Sequence, residues 1–152
     1  MLDILEELKD VLASLHQDGI PYALCGGLAM AVHGYPRATV DIDILVLVED
    51  QARVEKAAEV LGFTIHALPM HFRRGDVEIR RVSKVDDSGE LLSLDLLLVT
   101  EAVRGVWDGR QEMEWDFGKI CVVSREGLIV LKSLRGSGLD QDDIKRLRGE
   151  GE

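Results

Sequence analysis

Over residues 2–18, Leu5, Leu8, Leu12 and Leu15 recur at helical spacing, with Ile4 and Val11 widening the stripe and acids, Lys9 and Gln17 opposite. This predicts an amphipathic helix, closed by Asp18-Gly19. Residues 22–25 then make a short apolar run that stops at Gly26-Gly27, the pattern of a buried strand ending on a glycine pair. Residues 28–32 favour a helix that Gly34 and Pro36 end, and the β-branched run 40–48 is long enough for a central strand. Helical periodicity returns over 50–61 through Val54, Ala57, Ala58 and Leu61, Gly62 caps it, and 63–68 resume a strand pattern. Residues 69–75 read as a loop carrying His71, Arg73 and Arg74, and strands are predicted at 76–82 and 91–99 around the turn Asp86-Asp87-Ser88-Gly89. A short helix at 100–108 and two strands within 111–123, divided at Gly118, follow. Ser124 is a candidate N-cap for a helix through about Leu134 with Leu128 and Leu131 on its stripe, and a last polar helix falls near 139–148. The alternation predicts an α/β or α+β fold with a mixed central sheet flanked by helices. A single domain over 1–152 is expected, with a core at about 20–123 and C-terminal helices at about 124–148.

Composition narrows the partners. The 152 residues include 28 acidic and 18 basic side chains, a net charge of −10, and aromatics make up only 5%. Duplex binding draws its affinity from Lys and Arg on phosphates, so no extensive duplex nucleic-acid surface is expected. Cys25 and Cys121 lie far apart among apolar neighbours, as buried thiols of a reducing compartment do, so a cytoplasmic location is expected. The N-terminus is acidic and no apolar run approaches the roughly 18 residues of a membrane span. No membrane association is expected.

Asp41 and Asp43 stand at the start of an otherwise apolar strand, and two residues apart they share one face. Carboxylates this close repel each other in a partly dry site unless a proton or cation lies between them, and their hard oxygens suit Mg²⁺ or Mn²⁺. A strand end whose acids simply reach water is the plainer alternative. Gly26-Gly27 ends the preceding strand and opens a helix, where backbone N–H groups can hold a phosphate; a tight strand-to-helix turn reads the same way. A third acid, Asp95, interrupts the apolar run 91–99, and the three converge if its strand pairs beside that of Asp41 and Asp43. Three carboxylates beside a phosphate-holding turn suit metal-assisted phosphoryl or nucleotidyl transfer.

Gly26-Gly27, thirteen intervening residues and Asp41-Ile42-Asp43 resemble the defining motif of the DNA polymerase beta-like nucleotidyltransferase superfamily, with Asp95 where its third carboxylate would be. Residues 25–34 and 37–43 are similar to small bacterial members grouped with the AbiEii-type toxin nucleotidyltransferases, as are Leu131-Lys132 and Asp140-Gln141-Asp142-Asp143-Ile144. The resemblance, over about residues 20–147, implies a minimal nucleotidyltransferase fold. The implied activity moves an NMP from an NTP donor to an acceptor hydroxyl with release of pyrophosphate. It implies that Asp41, Asp43 and Asp95 ligate Mg²⁺ or Mn²⁺, with Asp95 also orienting or deprotonating the acceptor. Gly26 and Gly27 would hold the triphosphate, and Arg37 and Lys132 would neutralise phosphate charge; a surface loop residue and a solvated helix position are the alternatives for these two.

The chain departs from the pattern at two places. Leu139 stands where many relatives carry Lys, and Gly27 where many carry Ser. The acceptor is left open among a tRNA end, a protein and a small molecule, and an antitoxin-like partner or a homodimer interface would enlarge the site. The alternative reading is a non-catalytic nucleotide- or partner-binding module of a toxin–antitoxin pair; a phosphohydrolase using water is a third. His16, His33, His66 and His71 form no metal-ligand spacing and are assigned no site role. Arg73 and Arg74 are expected on a loop, solvated or over the cleft, Arg80 and Arg81 on opposite faces of one strand, and Trp107 and Trp115 in packing or an oligomer surface.

Overall fold

The computed structural model describes residues 2–36, 38–116, 118–135 and 138–149. Helix α1 (Ile4–Gln17) starts at Asp3, whose carboxylate accepts from the Leu5 backbone N–H at 3.0 Å, and buries Leu8, Val11, Leu12 and Leu15. There follow β1 (Ala23–Cys25), α2 (Gly26–Val32), β2 (Asp41–Val46), α3 (Gln51–Val60), β3 (Ile65–His66), β4 (Met70–Phe72), β5 (Val77–Val85) and β6 (Leu91–Leu98). The chain continues through α4 (Arg104–Asp108), β7 (Gln111–Trp115), β8 (Gly118–Val122), α5 (Arg125–Arg135) and α6 (Gly138–Leu147).

The strands form one mixed sheet in the order β3-β5-β6-β2-β1-β8-β7, with β4 also pairing with β5. β2 runs parallel to β6 and β1 parallel to β8, while the other pairs are antiparallel. The two central strands bury Ile42, Ile44, Leu94 and Leu96 on the face opposite Asp41, Asp43 and Asp95, which is why these strands read as apolar runs broken by acids. No described helix is long and apolar enough to cross a membrane.

Four elements differ from the sequence pattern. The strand expected over 63–68 shrinks to Ile65–His66, because Phe63 turns into the core with its N–H on the Ala58 carbonyl at 3.0 Å, the end of a helix cap. The loop expected over 69–75 contains β4, a three-residue strand too short to carry a period. β5 runs on to Val85, and β2 begins at Asp41, leaving Val40 exposed. Trp107 is buried beneath the Arg110 guanidinium, 3.9 Å from its ring centre, and Trp115 packs against the core. Cys25 is buried; Cys121 is half-buried, and burial pushes its thiol pKa up.

Candidate active site

Register places four site residues in one row across four strands. Cys25 of β1 lies opposite Asp43 of β2, Asp43 opposite Asp95 of β6, and Asp95 opposite Arg81 of β5. Directly paired residues point to the same face, so both carboxylates and the guanidinium open onto one side of the sheet, with Asp41 two residues along β2. Gly26 ends the row at the start of α2 with φ +70, a conformation that an L side chain rarely adopts. A Cβ there would press into the Asp43 carboxylate, and would lie 2.8 Å from the Asp43 Cβ. The glycine therefore lets the helix start lie against the acid. Gly27 meets a different neighbour, since its Cβ would sit 2.9 Å from the Thr39 hydroxyl, and it does not line the cleft.

Arg81 dominates the electrostatics. Its Nε donates to Asp95 Oδ1 at 2.7 Å and its Nη2 to Asp95 Oδ2 at 2.9 Å, a bidentate pair, and Nη2 lies 4.0 Å from Asp41 Oδ2. This pairing accounts for Asp95 being only 5% exposed. The bond to Asp95 raises the guanidinium pKa further above its usual high value. Burial, followed by the charge of Asp95, raises the Asp41 pKa, and Arg81 offsets part of that rise.

Helix α5 roofs the cleft. Leu128, Leu131 and Lys132 face the sheet, where Met70, Phe72, Val77, Ile79 and Leu97 continue the floor beyond the acids. The enclosed volume is about 370 Å³. Lys132 is buried and ion-paired with Asp143 of α6 at 2.9 Å, so it is neither a solvated position nor a phosphate ligand held ready. Arg73 and Arg74 both adopt positive φ, 52 and 56. From there Arg73 donates to the Ser133 and Leu134 carbonyls, at 3.3 and 2.9 Å, and tethers the end of β4 to the C-terminal turn of α5. Arg37 and the side chain of Leu139 lie outside the described residues. His33 packs with Nε2 2.8 Å from the Val123 carbonyl, away from the acids' ladder.

Among the described residues, no group of three or more His, Cys, Asp or Glu is already arranged as a metal cage. Three carboxylates on one face are hard oxygen donors of the kind a divalent ion takes, but Arg81 already bonds both oxygens of Asp95 and lies 4.0 Å from Asp41, so an ion there competes with the guanidinium. The pattern of acids in apolar strands signalled Asp41, Asp43 and Asp95. Arg81 and the apolar floor were missed as site components, although the alternation Val77, Ile79, Arg81 is their signal.

The fold is that of nucleotidyltransferases. A lincosamide antibiotic adenylyltransferase, LnuA, solved with lincomycin, is similar at TM-score 0.58 and 17% identity over 96% of this chain and 97% of that one. ANT(2'')-Ia, solved in complex with adenylyl-2''-tobramycin, is similar at TM-score 0.60 and 18% identity over 93% of this chain and 85% of that one. An antigenic nucleotidyltransferase-like protein from Paracoccidioides brasiliensis is similar at 0.52 and 19% identity over 92% of this chain and 73% of that one. No family profile matches the chain, and no curated protein matches it in sequence.

Proposed function

We propose that this chain, having the nucleotidyltransferase fold, transfers an NMP from an NTP to an acceptor hydroxyl and releases pyrophosphate. The observation that carries the reading is the cross-strand pairing of Asp43 with Asp95, with Asp41 on the same face and the Gly26 turn at the end of the row. In this reading Asp41, Asp43 and Asp95 hold Mg²⁺ or Mn²⁺. When bound, the ion neutralises charge on the phosphate oxygens and withdraws electrons from phosphorus. Gly26, which lines the cleft, presents its backbone N–H to the triphosphate tail, and Gly27, outside the lining, is the second candidate at the same helix start. Arg37 and Lys132 are the candidates for neutralising the same charge, Lys132 only by giving up its ion pair with Asp143.

Asp95 orients the acceptor. The acceptor oxygen bonds to the α-phosphorus, the bond from that phosphorus to the bridging oxygen breaks, and the electron pair leaves with pyrophosphate. The hydroxyl proton passes to the Asp95 carboxylate and then to water. Arg81, donating to both oxygens of Asp95, holds that carboxylate in place at the cleft. The grouping with AbiEii-type enzymes belongs to this reading, and the acceptor could then be presented by a partner chain.

The test is incubation with Mg²⁺ or Mn²⁺ and each labelled NTP, with total tRNA, lysate protein and small alcohols as acceptors. Transfer of label with release of pyrophosphate is expected, and Asp43→Asn is expected to abolish it with the fold intact. Survival of transfer in that variant would remove the assigned roles. One observation favours a second reading, a non-catalytic nucleotide-binding module: Arg81 already neutralises much of the carboxylate charge. NTP binding without turnover selects it.

A further inference from the structure

We infer that the acceptor is a small hydroxyl-bearing molecule with an apolar alkyl or aryl body, seated on Met70, Phe72, Ile79 and Leu97 beneath Leu131. The inference rests on the nucleotidyl-transfer reading and specifies the acceptor's class.

The two ends of the cleft are chemically different. The Gly26 turn lies on the β1 side of the acids. On the other side, past Asp95, Leu97 pairs with Ile79 and Ile79 with Met70, while Val77 pairs with Phe72. Neighbouring strands lie about 4.8 Å apart, so the apolar floor reaches two strands, about 10 Å, beyond the Asp95 strand, away from the turn that faces the phosphates. A donor with its phosphates at Gly26 leaves this floor to the molecule that attacks from the Asp95 side.

The floor's chemistry selects the body of that molecule. Its five sheet side chains and the two leucines of α5 offer no hydrogen-bonding group, so amino or hydroxyl substituents lying on it would lose water without replacement. Phe72 keeps 49% of its surface exposed, an aromatic ring left at the rim of a cleft. The basic side chains that line the cleft are Arg81 and Lys132, and both are paired with carboxylates, while the chain as a whole carries −10. A polyanionic RNA end finds no spare positive charge among these lining residues. The whole cleft, from the Gly26 end across the acids to the floor, holds about 370 Å³, so what remains beside a bound donor suits only a small body.

The experiment uses the full chain with Mg²⁺, labelled ATP and, in turn, the other three NTPs, offering naphthylethanol, glycerol and total tRNA as acceptors. Transfer to naphthylethanol is expected at a kcat/KM at least about tenfold above that to glycerol, with tRNA unlabelled. Phe72→Ser, at a half-exposed position that the fold tolerates, should raise the KM for naphthylethanol about tenfold, and Phe72→Leu should restore it. The KM for the nucleotide should not move. Labelling of tRNA or glycerol as efficiently as naphthylethanol overturns the inference and leaves nucleotidyl transfer standing. A Phe72→Ser effect on the nucleotide KM alone also overturns it, since the floor then holds the donor's base. If no NTP and acceptor pair reacts, the transfer reading fails, and the inferred acceptor fails with it. Fluorescence titration of naphthylethanol then still reports on the floor: weaker binding by Phe72→Ser keeps it as an apolar alcohol site, and unchanged binding removes that too.

Discussion

At position 26 backbone conformation and site chemistry meet. An alanine there would have to hold a left-handed φ, at about 1–2 kcal/mol, and would displace the Asp43 carboxylate it presses upon. Gly26→Ala is therefore expected to lose about 2 kcal/mol or more in urea unfolding and to move Asp43 out of its row. Asp41 makes a pH-dependent statement. Its raised pKa means that the folded state holds the proton more tightly than the unfolded chain. Stability therefore falls as pH rises from the ordinary 3.8 through the raised value, and stays lowered above it. Asp41→Asn should melt on the order of 1 °C higher than the parent at neutral pH in the absence of metal, the gain being small because the side chain is partly solvated, and should show no gain below pH 3.8. A lower neutral-pH melting temperature would mark Asp41 as a structural hydrogen-bonding residue. Arg81 acts in the opposite sense. Arg81→Gln strands a buried carboxylate and should cost about 2 kcal/mol, a value reduced from that of fully buried pairs by the exposure of the guanidinium. Millimolar Mg²⁺ should recover more of the melting temperature in this variant than in the parent. The acids were legible because a charge inside an apolar strand stands out. Arg81 was not, because an arginine beside another in a strand acquires meaning only from what lies across the ladder.

Among the elements, α5 and α6 carry the least obvious design. Lys132 and Asp143 are 5% and 3% exposed and bind each other across the two helices, and Arg125 at the start of α5 also donates to the Leu147 carbonyl at the end of α6. Removing one charge leaves the other buried and uncompensated. Lys132→Met should cost about 3–5 kcal/mol, whereas Lys132→Met with Asp143→Leu should regain much of that loss, giving a strongly non-additive double-mutant cycle in urea unfolding. The helices themselves were readable from their leucine spacing and polar ends. Their pairing was not, since Lys132 and Asp143 are polar residues that sequence pattern assigns to solvent. Short elements failed for a different reason: Met70–Phe72 becomes a strand only because β5 offers an edge for it, and Phe63 leaves its expected strand because the α3 cap draws it into the core.

Across the whole molecule, the sheet order does what no local pattern announces. Residues 43 and 95 become neighbours because β6 inserts between β2 and β5, a parallel pairing joined by the long excursion through α3, β3, β4 and β5. The periodicities specified the strands, and the register brought 25, 43, 95 and 81 into one row. That row sits at the centre of a sheet whose core strands also bury α1, so binding at the acids should be felt by global unfolding. With one sheet running from β3 to β7 and α5 packed on it, the chain is expected to unfold in a single transition with matching calorimetric and van't Hoff enthalpies, on the order of 100 kcal/mol near 60 °C. A ligand that binds only the folded state at a hundredfold excess over its dissociation constant adds about 2.7 kcal/mol, which at this size is a rise of roughly 5–10 °C. Mg²⁺ with a non-hydrolysable NTP analogue should raise the melting temperature of the parent and leave that of Asp43→Asn nearly unmoved. An equal rise in both would locate the nucleotide away from the acids. Two separated transitions would mean that α5 and α6 melt independently of the sheet, and the Lys132–Asp143 pair would then be a local staple within the roof.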